Sequence, residues 1–152
     1  MSDRGGIVWS KFGIYKVEDS DLETAPDLEF PFHPGSRFRA VNTGIDEPAC
    51  QINFEDFYPG QDIVWTLAHD EVQYVTSGRA EIEYHLPPLM LETAKVIAEP
   101  GSVYLMPRGC RVVWRVLGDQ PFRHLCITYP NPHYPIPVAP SVMALREKAG
   151  KG

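Results

Sequence analysis

Three polar side chains recur at a spacing of two residues near the middle of the chain: His69, Glu71 and Gln73. They lie in the segment WTLAHDEVQYVTSG, residues 65–78, whose other positions are mostly apolar or β-forming, and which we predict to be one strand. On a strand this spacing places the three side chains on one face. A buried carboxylate is costly unless it is neutralised or paired, and His69 is the nearest partner for Glu71. The pattern indicates acid–base chemistry or metal binding.

Composition limits the class of protein. The 152 residues suit one domain with a single core. Hydrophobic residues make up 43% of the chain, and no apolar run approaches the roughly 20 residues that span a bilayer. The net charge of −6 and the lack of a Lys/Arg cluster argue against a nucleic-acid partner, because phosphates require a basic face. We expect neither a nucleic-acid nor a membrane partner.

Two further features favour a cytoplasmic protein. The start of the chain, MSDRGGIVWSKFGIY, has no sustained apolar stretch of the kind found in signal peptides. The cysteines Cys50, Cys110 and Cys126 are odd in number and lack CxxC spacing, which fits reduced thiols better than a disulfide framework. Because free cysteines are usually buried, we expect these thiols to be structural.

Most of the chain consists of short strand-like segments separated by turn signals. A hairpin around Ser77-Gly78 is the simplest connection between the segment 65–78 and the alternating residues that follow. Many short strands at spacings of roughly 8–12 residues predict an all-β sandwich or barrel. The predicted strands are residues 10–17, 37–41, 50–57, 65–78, 79–85, 94–99, 103–106, 111–117 and 122–129.

The two ends of the chain differ from this pattern. The acidic segment EDSDLETAPDLEF is expected to be loop with at most one helical turn, and Ser141 to Lys148 is expected to be a helix with Ser141 as its N-cap. The five prolines of PNPHYPIPVAP favour an extended arm. We therefore divide the chain into an N-terminal strand and loop (1–35), a barrel (36–129) and an arm with a C-terminal helix (130–152).

Two motifs resemble the cupins, and among them the ethanolamine-utilisation EutQ type. In WTLAHDEVQYVTSGRAEIE, six residues separate Glu71 from Gly78, as in the first cupin motif. In EPGSVYLMPRGCRVVW, the residues Gly101, Pro107 and Gly109 keep the G-x5-P-x-G spacing of the second motif, and FRHLCITYP follows. The resemblance implies a double-stranded β-helix, the cupin jelly-roll barrel, with a ligand inside it.

The metal-binding positions of that family are not kept. Metal-dependent cupins carry a His-x-His pair ahead of the Glu and one His in the second motif. In this chain the His-x-His pair is missing, and Val112 stands at the histidine position of the second motif. Of the four ligands only Glu71 remains. If His69, Glu71 and a third histidine, His124 or His85, came together, they would form a two-His-one-carboxylate site suited to Fe, Zn, Ni or Mn. Plain structural histidines are the alternative.

The inward face of a small jelly-roll barrel usually holds its ligand. We therefore expect the pocket to be lined by Trp65, Gln73, Tyr104, Trp114 and His124, although ordinary core packing explains the aromatic residues equally well. Flat apolar walls with polar groups suit an aromatic or unsaturated small molecule.

Three functions remain open from the sequence. The first is a small-molecule-binding cupin in which Glu71, with His69 or His124, forms the acid–base pair of an isomerase or lyase. The second is a metal-dependent dioxygenase, lyase or cyclase whose ligands have moved to His69, Glu71 and His124. The third is a non-catalytic sensing or assembly module. The resemblance also implies a homodimer.

Overall fold

The computed structural model describes residues 12–30, 33–43, 49–130 and 140–150. Within these ranges the chain forms two short helices and ten strands, which confirms the all-β prediction. In chain order they are α1 Asp19–Glu23, β1 Leu28–Glu29, β2 Arg37–Asn42, β3 Gln51–Phe57, β4 Asp62–Thr66, β5 Asp70–Ser77, β6 Arg79–Leu86, β7 Glu92–Ala98, β8 Val103–Met106, β9 Arg111–Leu117, β10 Phe122–Tyr129 and α2 Val142–Lys148.

The strands form two antiparallel sheets that share one core. The larger sheet has the order β1-β2-β3-β10-β5-β8, and the smaller has the order β4-β9-β6-β7. Their inward residues form one apolar cluster, in which Phe57 and Phe122 of the larger sheet meet Ile63, Val112 and Trp114 of the smaller. Because β10 lies between β3 and β5, the inward side chains of these three strands adjoin.

The predicted strand over residues 65–78 is in fact two strands. β4 ends at Thr66 in the smaller sheet, and β5 begins at Asp70 in the larger sheet. Between them the backbone of Leu67 bonds to the turn that precedes β9: Leu67 N–H donates to the Cys110 carbonyl at 3.0 Å, and Gly109 N–H donates to the Leu67 carbonyl at 2.7 Å. Trp65 therefore belongs to the opposite sheet from Glu71.

The predicted hairpin at Ser77-Gly78 is wrong. β5 pairs with β10 and β8, whereas β6 pairs with β7 and β9, so the chain crosses from one sheet to the other at this point. Gly78 has φ +76°, and a Cβ there would lie 2.2 Å from the carbonyl oxygen of Pro121. Only glycine fits both this backbone conformation and this close approach.

At the ends of the chain, the predicted C-terminal helix is confirmed and the predicted N-terminal strand is not observed in the described residues. The described part of the predicted strand at 10–17 is irregular, and its Phe12 and Ile14 are exposed. The acidic segment forms the short helix α1, and α2 begins after Ser141, whose side chain accepts a hydrogen bond from the Ala144 N–H at 3.1 Å. Most of the proline-rich arm lies outside the described residues, and the three-part division of the chain stays a prediction. No helix in the described ranges is long and apolar enough to cross a membrane.

An ion network on the outer face of the larger sheet ties β2, β3 and β10 together. Asp56 is fully buried, and it accepts hydrogen bonds from Arg39 Nε at 2.7 Å and from Arg123 Nε at 2.8 Å. Arg123 also donates to Asp19 of α1 at 2.8 Å. The network links helix α1 to the sheet that carries the site described below.

Replacement of Asp56 by alanine is expected to reduce the free energy of unfolding by about 3–5 kcal/mol, because it leaves two largely buried guanidinium groups without their carboxylate. Urea denaturation measures the change. Asp119→Ala, in an exposed turn, is the control and should change stability by less than about 0.5 kcal/mol. A similar small change for both variants would contradict a stabilising role for the network.

Candidate functional site

Glu71 lies on the inward face of β5, where Glu71, Gln73 and Val75 alternate with outward residues. Its side chain is buried, with the whole residue 1% exposed. Oε2 accepts a hydrogen bond from Gln73 Nε2 at 2.8 Å. Oε1 lies 3.4 Å from His69 Nε2 and accepts a bond from the Cys126 thiol at 3.1 Å. Three protein groups therefore converge on one carboxylate inside the barrel.

A chain of hydrogen bonds holds Gln73 in place. The Tyr104 hydroxyl on β8 donates to Gln73 Oε1, and Trp114 Nε1 on β9 donates to the Tyr104 oxygen at 3.3 Å. Because Tyr104 donates to the amide oxygen of Gln73, the amide nitrogen is left to donate to Glu71. The smaller sheet thus orients the carboxylate of the larger sheet through Trp114, Tyr104 and Gln73.

The surroundings of Glu71 keep two of these groups neutral. Burial, together with the nearby carboxylates Glu71 and Glu55, raises the pKa of the Cys126 thiol well above its usual value. Burial likewise raises the pKa of the Tyr104 phenol, with a smaller contribution from Glu71. Both groups therefore remain hydrogen-bond donors near neutral pH, and Cys126 is not poised to act as a thiolate nucleophile.

His124 belongs to a second cluster on the same inward surface. It pairs across the sheet with Glu55 of β3, and its Nε2 lies 3.0 Å from Glu55 Oε2. The rings of Phe57 and Phe122 lie 4.7 Å and 5.0 Å from the imidazole. Glu55 and Cys126 belong to these clusters but were not predicted as site residues, although the polar face of residues 50–57 and the alternation of β10 carried the signal.

The remaining predicted site residues fall into two groups. Trp65, on β4, reaches across from the smaller sheet, and its ring lies 5.1 Å from that of His69. Trp114 is fully buried and Tyr104 is half-buried at the edge of the same core. His85 instead lies on the outer face of β6, 3.6 Å from Glu83, and takes no part in the interior cluster.

Comparison with known proteins identifies the family. The family model of ethanolamine utilisation protein EutQ matches residues 49–133, more than half of the chain. The chain belongs to the EutQ family. The match covers β3 to β10, and so includes every strand that contributes a residue to the two clusters.

Solved structures agree with this assignment at the level of the fold. The EutQ protein of Clostridium difficile is 24% identical, with a TM-score of 0.53 over 76% of this chain and 81% of that one. A structural-genomics protein of unknown function from Rhizobium leguminosarum is 23% identical, with a TM-score of 0.54 over 78% and 99%. Oxalate decarboxylase from Bacillus subtilis, described with Mn(II) centres, is 15% identical, with a TM-score of 0.55 over 84% and 31%. The fold is that of a cupin. Curated protein sequences give no match.

The donor groups of this EutQ-family chain do not fit a metal ion as they are arranged. No group of three or more His, Cys, Asp or Glu side chains in the described part of the chain could hold one. The predicted trio of His69, Glu71 and His124 does not converge, because His124 turns to Glu55. Both oxygens of Glu71 already face protein donors.

Two inward polar atoms on β10 have no hydrogen-bond partner among the described residues: Nδ1 of His124 and Oγ1 of Thr128. Both residues are buried, at 0% and 4% exposed, and they flank Cys126 on the same strand face. A buried polar group without a partner costs about 1–3 kcal/mol. A polar ligand or ordered water inside the barrel would remove that cost.

The link between the two sheets can be tested at Tyr104. Tyr104→Phe removes the hydroxyl between Trp114 and Gln73, and we expect the free energy of unfolding to fall by about 1–3 kcal/mol because two buried polar atoms lose their partner. Tyr84→Phe is the control, since Tyr84 packs against the same core and its hydroxyl makes no hydrogen bond among the described residues. Urea denaturation of both variants measures the difference, and equal losses would argue against the hydrogen-bond chain.

Proposed function

We propose that the chain binds a small polar molecule inside its barrel and that Glu71 accepts a proton from it in an isomerase- or lyase-type step. The observation that carries the proposal is the convergence of two donors, Gln73 and Cys126, and of the His69 imidazole on the buried carboxylate of Glu71. A carboxylate fixed in this way, inside a barrel with unpartnered polar atoms, suits general base catalysis.

The two oxygens of Glu71 have different roles in this proposal. Gln73 holds Oε2 with the shortest of the three contacts, at 2.8 Å. Oε1 faces a thiol, which is a weak donor, and an imidazole nitrogen at 3.4 Å. A ligand can replace these weaker contacts more easily than the amide bond, so Oε1 is the atom that would take the proton. His69 then lies beside the protonated carboxyl as its partner in proton transfer.

A thermal-shift screen of simple sugars, hydroxy acids, amino alcohols and phenolics is the experiment that tests binding. We expect at least one compound to raise the Tm of the wild-type protein and to raise that of Glu71→Gln by much less. A compound that stabilises both proteins equally would place its binding site away from Glu71. Stabilisation by none of the four classes would overturn the proposal.

A further inference from the structure

The Glu55 and His124 pair is a second polar centre of the barrel, outside the Glu71 cluster. His124 is fully buried, and its Nε2 lies 3.0 Å from a carboxylate oxygen of Glu55. A carboxylate only accepts hydrogen bonds, so in the neutral imidazole the hydrogen is on Nε2 and Nδ1 is an acceptor. That acceptor has no partner among the described residues.

The imidazole is not free to turn towards another partner. Phe57 packs edge-on against it at 4.7 Å, and Phe122 lies tilted beside it at 5.0 Å. With Nε2 held by Glu55, the ring presents Nδ1 in a fixed orientation. The position therefore calls for a hydrogen-bond donor that the described protein residues do not supply.

The charge of the barrel interior restricts what that donor can belong to. Glu55 of β3 and Glu71 of β5 both help to raise the pKa of the Cys126 thiol, which lies on β10 between these two strands. Among the described residues, the lysines and arginines on the strands lie on the outer faces: Arg39 and Arg123 pair with Asp56, Arg115 and Lys95 pair with Glu81, and Arg37, Arg79 and Arg111 are exposed. An anionic ligand would meet two carboxylates and no lysine or arginine.

We propose that His124 is neutral, that its Nδ1 is a ligand-binding atom that accepts a hydrogen bond from a hydroxyl group, and that the ligand is a small neutral aldose or ketose and not an anion. The carbonyl group of such a sugar makes the neighbouring C–H acidic enough for a carboxylate base to remove. This rests on the function proposed above, and it adds the substrate class and a second contact. Glu71 and His124 then bind different hydroxyl groups of one molecule. Glu55 is a positioning residue, since it acts through His124.

Pairs of neutral and acidic compounds with the same carbon count test whether the ligand is neutral or anionic. Glyceraldehyde, erythrose, xylose and glucose can be compared by isothermal titration with glycerate, erythronate, xylonate and gluconate, which have the same carbon counts and one carboxylate each. We expect at least one aldose to bind at least ten-fold more tightly than its acid. Tighter binding by the acids, or binding of no aldose, overturns the assignment.

Two variants of His124 test the role of Nδ1. The amide of Asn reaches the position of Nδ1, whereas that of Gln reaches the position of Nε2 and keeps the contact with Glu55. We expect His124→Asn to bind the aldose within about three-fold of wild type and His124→Gln to bind it about ten-fold more weakly, the loss of one hydrogen bond. Both lose the same ring packing, so their Tm values should fall together.

The outcomes separate this inference from the proposed function. If Glu71→Gln weakens aldose binding by about ten-fold or more and both His124 variants bind like wild type, the role of Nδ1 is disproved and the Glu71 site stands. Equal weakening in the Asn and Gln variants disproves it too, because it would reflect lost packing. If Glu71→Gln binds like wild type, the proposed function itself fails.

Discussion

Gly78→Ala is expected to reduce the free energy of unfolding by about 2–5 kcal/mol, which combines the cost of a positive φ with that of overpacking. The added Cβ would lie 2.2 Å from the Pro121 carbonyl oxygen and 2.9 Å from its carbon, at a residue with φ +76°. Both atoms belong to the backbone just before β10. The clash can be relieved only by moving a strand that carries His124 and Cys126.

Gly118→Ala is the matched control for this substitution. Gly118 has nearly the same φ, +75°, but a Cβ there meets nothing within 4 Å. We therefore expect only the conformational cost, about 1–2 kcal/mol. Urea denaturation of the two variants separates the cost of the positive φ from the cost of the clash with Pro121. If they lost the same stability, the close approach at Gly78 would not constrain the crossing between the sheets.

Glu71→Gln is expected to weaken ligand binding about 10- to 100-fold, the range for losing a hydrogen bond to a charged group. The new amide can accept hydrogen bonds on only one of its two terminal atoms, so the donor Gln73 or the donor Cys126 faces an N–H group. Isothermal titration with the best compound of the screen measures the loss. Circular dichroism checks that the variant is folded.

Glu81→Gln is the control for this variant. Glu81 lies on the outer face of β6, where it accepts a hydrogen bond from Arg115 at 3.1 Å. Removing that charge should leave ligand affinity within about two-fold of wild type, because surface ion pairs contribute little. If the two glutamates had equal effects, a general loss of charge would explain the result and Glu71 would have no special role.

Local sequence signals located most of the strands. β8, β9 and β10 have the predicted bounds, because Gly or Pro residues mark the turns between them. The same kind of signal failed at Ser77-Gly78, since a glycine with positive φ serves a hairpin and a crossing between sheets equally well. The alternation of residue types likewise continues through Leu67 to His69, and so predicted one strand over residues 65–78. In the structure, hydrogen bonds between the backbone of Leu67 and the 107–110 turn separate β4 from β5.

The candidate site was predictable in part. The alternation of residue types predicted that Glu71 and Gln73 share one face of a strand, and the resemblance to cupins predicted that this face points into the barrel. The positions of Glu55 and Cys126 in the site depend on the register of β3, β10 and β5. Pairing between strands far apart in sequence sets this register, and the sequence alone does not reveal it. The same register keeps His124 with Glu55 and away from Glu71. The homodimer implied by the resemblance stays a prediction.

The most direct test of Glu71 as a proton acceptor is exchange of ligand hydrogen with solvent. The best compound of the screen is incubated in D2O with wild-type protein or Glu71→Gln, and loss of its C–H signals is followed by proton NMR. We predict exchange with the wild type and a rate lower by about 10²–10⁴ with the variant. Equal rates in the two proteins, or no exchange with the wild type, would contradict proton transfer to Glu71.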